Sequence, residues 1–216
     1  MTDTTACPDI KEPLPVESYY RWQSRIYDAT RWSFLFGRSV VIDRVARLAE
    51  PKRILEVGCG TGRNLMELAQ RFPQAQLTGL DVSADMLQIT EKKLAAAGAR
   101  ERVTLVRQCY DQPLNEAGFD LVLCSYALTM FNPGWEEAVA CAAADLAPGG
   151  LFALVDFHDS RFTWFKRWMR VNHVRMEGHL LPGLESRFET LVNERHAAYG
   201  GVWDWAVYVG RKIRVS

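Results

Sequence analysis

From Arg53 onward the apolar positions fall into two alternating kinds of stretch. Short β-branched or apolar runs are separated by longer segments in which apolar residues recur every three or four positions. The first kind suits buried strands and the second amphipathic helices, so their alternation predicts βαβ units and a parallel sheet. Strands are expected at "RILEV" (53–57), "QLTGLD" (76–81), "VTLVR" (103–107), "FDLVLCS" (119–125) and "LFALVDF" (151–157). Between them, "RNLMELAQRF" sets Leu65, Leu68, Ala69 and Phe72 on one helical face, and "SADMLQITEKKLAAAG" opens on a Ser83 cap and ends on Gly98. "GWEEAVACAAADL" supplies a further helix before "APGG", whose proline and glycines predict a turn into the next strand. After Phe157 the pattern changes. "RFTWFKRWMRVNHVRMEGHLLPGLESRF" predicts helix interrupted near Gly178 and Pro182, and then "FETLVNERHAAY" and "VWDWAVYVGRKI" flank Gly200 and Gly201 as the arms of a hairpin.

A chain of 216 residues with 48% hydrophobic content buries one sizeable core, which sets the count at one domain over 51–216. Residues 1–16 read as a mobile tail and 17–50 as a helical lid with membrane-contact helices. The 26 basic residues balance 26 acidic ones, which argues against a general nucleic-acid binder, since that function rests on phosphate neutralisation. The five cysteines lack a C-x-x-C pair, and three of them (Cys59, Cys124, Cys141) lie in apolar or glycine-rich runs that read as buried. That usage suits a reducing cytoplasm, with neither a disulfide framework nor a metal site. The opening "MTDTTACPDIKEPLPVE" lacks the apolar stretch of a signal peptide, and no run approaches the ~18 to 20 apolar residues that cross a bilayer.

"ILEVGCGTGRN" (54–64) is a strand, a glycine turn and a helix start. Its glycines let the backbone pass close to a ligand, and the N–H groups that open the next helix favour an electron-rich group. The spacing is G-x-G-x-G, not the dinucleotide-binding G-x-G-x-x-G, because Arg63 follows Gly62. With Glu56 ahead of the glycines and Asp81 ending the second strand in "LTGLDVSADML", the chain resembles the class I S-adenosylmethionine-dependent methyltransferases. The resemblance implies a doubly wound, mostly parallel, Rossmann-like sheet of seven strands, closed by a seventh antiparallel strand, and S-adenosyl-L-methionine as cofactor. It further implies that Glu56, Gly58, Cys59, Gly60, Thr61 and Gly62 line the amino-acid end of that cofactor, that Asp81 takes the ribose hydroxyls, and that Val82, Met86 and Ser125 complete the pocket. A carboxylate suits the ribose because it accepts two charge-assisted hydroxyl hydrogen bonds. In "RQCYDQPL" the family's usual acid for the adenine amino group is replaced. Gln108 and Cys109 are expected there, a glutamine carbonyl accepting the same hydrogen, with Asp111 as the other register.

The stretches "RIYDATRWSFLFGR", "CSYALTM", "NHVRMEGHLLPGLESRF" and "YVGRK" resemble the N-methyltransferases of betaine-lipid synthesis and, more loosely, the bacterial phosphatidylethanolamine N-methyltransferases. That resemblance implies a lipid-headgroup amine as methyl acceptor, diacylglyceryl-homoserine first, and a cytoplasmic protein peripheral to the inner face of the membrane. A soluble metabolite is the alternative acceptor. Residues 17–38 hold Tyr19, Tyr20, Trp22, Tyr27, Trp32, Phe34 and Phe36 with Arg21, Arg25, Arg31 and Arg38 against Glu17 and Asp28 alone. Such a segment suits either an amphipathic helix at an anionic membrane surface or a lid helix packed on the core. "RFTWFKRWMR" places Trp164 near Trp168 and Phe165 near Met169 at helical spacing, with the same two readings. Tyr126 and His158 stand just beyond the fourth and fifth strands, where a doubly wound sheet opens its ligand crevice, and Tyr27 is expected over the same mouth. These three are the catalytic candidates, for proton removal and for cation–π stabilisation of the growing ammonium. Arg31, Trp32 and Arg175 are the candidates for the headgroup. His173 and His179 flank Arg175 at spacings that can put parts of "NHVRMEGH" on one helical face, but with no acid or cysteine partner at ligand spacing no metal site is expected.

Overall fold

The expected strands form β1 (Arg53–Val57), β2 (Gln76–Asp81), β3 (Val103–Arg107), β4 (Phe119–Ser125) and β5 (Leu146–Asp159), and the hairpin forms β6 (Phe188–Ala198) and β7 (Trp203–Lys212). The computed structural model describes residues 35–114 and 118–213. All seven strands share one sheet in the order β3-β2-β1-β4-β5-β7-β6. The first five pair in parallel, while β7 lies antiparallel between β5 and β6, so the seventh strand is inserted inside the edge. β1, β2 and β4 are buried along nearly their whole length, the pattern of strands covered by helices on both faces. Strand order reverses between β1 and β4, and the crevice at the carboxyl ends of those strands is where a ligand enters such a sheet.

The helices are α1 (Arg38–Leu48), α2 (Arg63–Arg71), α3 (Ala84–Ala96), α4 (Trp135–Asp145), α5 (Thr163–Val171) and α6 (Leu180–Glu185). α3 begins as its sequence predicts: Ser83 Oγ accepts the Met86 N–H at 3.3 Å, satisfying an orphan donor of the first turn. α1 belongs to the compact unit Gly37–Ser216 that holds the sheet, and buries Val41, Ile42 and Val45. Among the described residues no helix is long and apolar enough to cross a membrane.

Two expectations of local structure are corrected. "LAPGG" is not a turn before β5 but its first five residues: Leu146 pairs with Phe119, and a register shift between Phe119 and Leu121 absorbs the rest. A bulge tolerates Pro148, which has no N–H for the ladder. The segment after α5 is not helical, so His173, Arg175 and His179 do not share a helical face. His173 (φ 61°) and Gly178 (φ 66°) break it, while Pro182 sits in the first turn of α6, where its missing N–H costs nothing.

Candidate functional site

The turn from β1 into α2 is held from two sides. Gly58 N–H and Cys59 N–H both donate to Leu80 O, at 2.8 and 3.0 Å, and Gly60 N–H donates to Asp81 Oδ2 at 2.8 Å. Asp81 Oδ1 accepts Ser83 N–H at 2.9 Å, so one carboxylate ties the glycine turn to the start of α3. Thr90, inside α3, donates its hydroxyl to Gly60 O at 2.7 Å. Gly60 has φ 53°, and a Cβ there would meet nothing within 4 Å, so its bare face opens on free space beside the turn. Gly62 is glycine for the opposite reason: at φ 75° an added Cβ would lie 2.5 Å from Thr90 Cγ2.

Beneath this turn lies a buried polar cluster. Glu56 is 1% exposed, and its Oε1 accepts from Asn64 Nδ2 at 2.7 Å. Glu56 Oε2, Asn64 Oδ1 and Ser125 Oγ have no hydrogen-bond partner among the described residues. β1 and β4 are neighbours, with Val57 opposite Cys124, so these atoms stand together at the switch between the two halves of the sheet. Buried polar atoms in folded proteins are nearly always paired, and three orphans at one strand end mark a place for a ligand rich in donors. S-adenosylmethionine carries an ammonium and hydroxyls, and the residues present fit it. Burial pushes the Glu56 carboxyl up to about 8, against the pull of Asn64 and of the Arg38 charge. Val82 is 55% exposed at the head of α3, and Met86 is half-buried one turn on. Gln108 and Cys109 are half-buried at the end of β3, whereas Asp111 is exposed. Cys59, Cys124 and Cys141 are buried free thiols.

On the acceptor side, Tyr126 follows β4 directly with φ 54°, an uncommon conformation for a bulky residue and a mark of functional sites. Its N–H is held by Val155 O at 2.8 Å, its ring meets Phe157 edge-on with centroids 4.7 Å apart, and the Arg38 guanidinium lies 5.9 Å from the ring centroid. His158 is half-buried, and burial, helped by Arg195, lowers its pKa, so the imidazole is neutral at neutral pH. Its ring lies against Gly178, where an added Cβ would come 3.3 Å from Cε1. Arg175 is exposed, with its Nε paired to Glu177 Oε2 at 2.9 Å, and Arg170 takes Oε1 of the same carboxylate at 3.0 Å. A cavity of about 520 Å³ runs beside them, lined by Met130, Asn132, Arg170, His173, Arg175 and Glu177 among others. Tyr27, Arg31 and Trp32 lie outside the described residues. Three contributors are absent from the sequence-based expectations. Asn64 and Thr90 hold Glu56 and the glycine turn, and Asp156, fully buried, accepts both the N–H and the hydroxyl of Thr129 in the loop beyond Tyr126. Asp156 carried a signal, an acid inside the apolar run "LFALVDF".

Residues 54–150 match the methyltransferase domain family. The chain is 34% identical over 150 residues to a malonyl-[acyl-carrier protein] O-methyltransferase of Geobacter sulfurreducens, covering 69% of this chain and 51% of that protein. It is 31% identical over 141 residues to a ubiquinone/menaquinone biosynthesis C-methyltransferase of Geotalea daltonii, covering 63% and 58%. The chain thus spans about half the length of the curated relatives it matches. In structure it superposes on the N-methyltransferase NodS from Bradyrhizobium japonicum WM9, in complex with S-adenosyl-L-homocysteine, with a TM-score of 0.67 at 16% identity, over 82% of this chain and 86% of that one. Residues 54–150 are thus similar in sequence to a methyltransferase domain, and the seven-stranded switch-point sheet, with the orphaned cluster under its glycine turn, has the class I methyltransferase fold.

Proposed function

We propose that the protein transfers a methyl group from S-adenosyl-L-methionine to the amine nitrogen of a membrane-lipid headgroup, diacylglyceryl-homoserine being the first substrate to try. The names of the relatives span oxygen, carbon and nitrogen acceptors, and a fold does not choose among them, so the choice is argued from the site. The observation that carries it is the Tyr126–Phe157 pair at the carboxyl ends of β4 and β5, beside Ser125. N-methylation of an amine ends in a cation, which an aromatic face stabilises, whereas O- and C-methylation do not. The Arg38 guanidinium over the Tyr126 ring supports this, since the ring already accommodates positive charge. The lipid part rests on the aromatic and basic residues of 17–38, a local excess of positive charge in a chain whose charges balance as a whole.

When bound, the cofactor supplies an electrophilic methyl on a sulfonium. The chain's own residues do the rest. Glu56, Asn64 and Ser125 accept hydrogen bonds from the cofactor's amino-acid end, Asp81 takes the ribose hydroxyls, and Gly60 lets it pass close to the turn. Holding donor and acceptor in line supplies up to ~7 to 11 kcal/mol in favourable cases. Neutral His158 is the group able to take the proton of an ammonium substrate, directly or through water, freeing the lone pair that attacks. The test is a labelled-methyl assay on diacylglyceryl-homoserine, phosphatidylethanolamine and water-soluble amines, backed by mass spectrometry of lipids from expressing cells. Label in the lipid headgroup is the expected result; label confined to soluble acceptors, or to oxygen, overturns the reading.

A further inference from the structure

α5 presents two opposite faces. Phe165 and Met169 point into the core at 4% and 5% exposure, whereas Trp164, Trp168 and Val171, spaced as one helical stripe, are 63%, 48% and 80% exposed. Two neighbouring tryptophans exposed to this extent on one helix face mark a surface with a use. The charges around the stripe are lopsided. Thr163–Val171 contains Lys166, Arg167 and Arg170 and no acid, and Arg161 precedes it. Asp159 pairs with Lys166 and Glu177 with Arg170, and Arg161 and Arg167 add two further positive charges. The turn between β6 and β7 adjoins this surface. Ser160 Oγ donates to Val202 O at 2.6 Å, an added Cβ at Gly201 would lie 3.9 Å from Arg161 Nη2, and Tyr199 is 56% exposed.

Position gives the surface its meaning. α5 leaves the carboxyl end of β5, and β7 begins opposite that end, with Asp159 paired to Asp204 and Phe157 to Trp205. The aromatic and basic face therefore borders the edge of the sheet that carries the glycine turn, Ser125 and Tyr126. We infer that Trp164, Trp168 and Val171, flanked by Arg161 and Arg167 and by Tyr199, dock this edge on the surface of an anionic bilayer. The inference deepens the lipid-headgroup reading and rests on it for the methyl transfer that docking serves. A bilayer matches the residues better than a protein partner does. Indole rings settle at the headgroup level, arginines meet lipid phosphates, and the two acids beside the helix, Asp159 and Glu177, are already paired to its own Lys166 and Arg170.

Vesicle flotation tests it with the full chain. With phosphatidylglycerol–phosphatidylcholine vesicles the protein should float, less so at high salt, and it should stay down with phosphatidylcholine alone. Trp164→Ser with Trp168→Ser should lower partitioning at least ~10-fold and remove tryptophan quenching by brominated lipid. Arg161→Gln with Arg167→Gln should cost about fivefold per arginine. Unchanged binding of S-adenosylhomocysteine certifies that each variant is folded. The inference is overturned if the wild type ignores anionic vesicles, if the folded variants float as well as the wild type, or if the stripe proves to hold a dimer that the tryptophan variant dissolves. A short-chain, water-soluble headgroup amine separates this from the proposed function. Methyl transfer without vesicle binding sinks the docking face alone, and vesicle binding without transfer to any lipid amine sinks the proposed substrate alone.

Discussion

Asp81 does two jobs with one carboxylate. Each oxygen already accepts a backbone N–H, Gly60 on Oδ2 and Ser83 on Oδ1, and each keeps a lone pair for a ligand hydroxyl. Asp81→Asn preserves the shape but turns one oxygen into an amide that faces an N–H donor. The expected cost is about 1 to 3 kcal/mol of stability, read by urea unfolding, together with at least ~10-fold weaker S-adenosylhomocysteine binding by calorimetry. Affinity equal to the wild type would refute the ribose role. Asp81 and the glycines were legible in the sequence because the turn's geometry is local and its residue types are restricted. Thr90 was not, since its hydroxyl reaches a carbonyl thirty positions away, and nothing about a threonine in a helix announces that. Tyr126 was found by its place at a strand end, but its left-handed backbone is imposed by the Val155 carbonyl and the Phe157 ring, which no local pattern encodes.

At the scale of elements, the strands were legible wherever burial on both faces forces an unbroken apolar run, as in β1, β2 and β4. Reading failed where tertiary pairing overrides a local preference. β5 runs through Pro148 because Phe119 pairs with Leu146 across a bulge, and the 173–179 segment is irregular because Gly178 N–H binds His158 O and Arg175 N–H binds Thr129 O instead of closing helical turns. The pairing of Trp164 with Trp168 and of Phe165 with Met169 was visible, but which pair faces the core is decided by the sheet beneath. α1 shows the same dependence at its start. Gly37, its N-cap, has φ 75°, and an added Cβ would overlap the Trp205 ring at 2.0 Å. Gly37→Ala therefore meets backbone strain of ~1 to 3 kcal/mol and an overpacking cost of similar size. It should lower the unfolding free energy by at least about 2 kcal/mol in a urea titration, and a neutral result would show that α1 shifts freely against β7.

For the whole molecule, balanced formal charge leaves the pH dependence of stability to buried groups rather than to net repulsion. Burial raises Glu56 from 4.5 to about 8 and Asp156 from 3.8 to about 6. Both carboxyls bind a proton more tightly folded than unfolded. Their contribution is complete below the unfolded values and is lost as pH rises, through about 6 for Asp156 and about 8 for Glu56. His158 and His179 have lowered pKa values and act in the other direction, adding stability above 6.5 that is lost as pH falls through their folded values. Burial pushes the Cys59 and Cys124 thiols further above their ordinary range, away from neutrality. Between about pH 6.5 and 8.5 the decline should thus belong mainly to Glu56, and Glu56→Gln, which keeps the size and the Asn64 contact, should flatten it. The cofactor reverses this balance. Its ammonium favours ionised Glu56, so binding near neutral pH should expel a proton, and affinity should climb with pH until Glu56 is ionised without help. Calorimetry in buffers of differing ionisation enthalpy measures that proton directly; a wild type that releases none, or a Glu56→Gln variant that releases as many, would show that the orphaned Oε2 faces something other than the cofactor's amine.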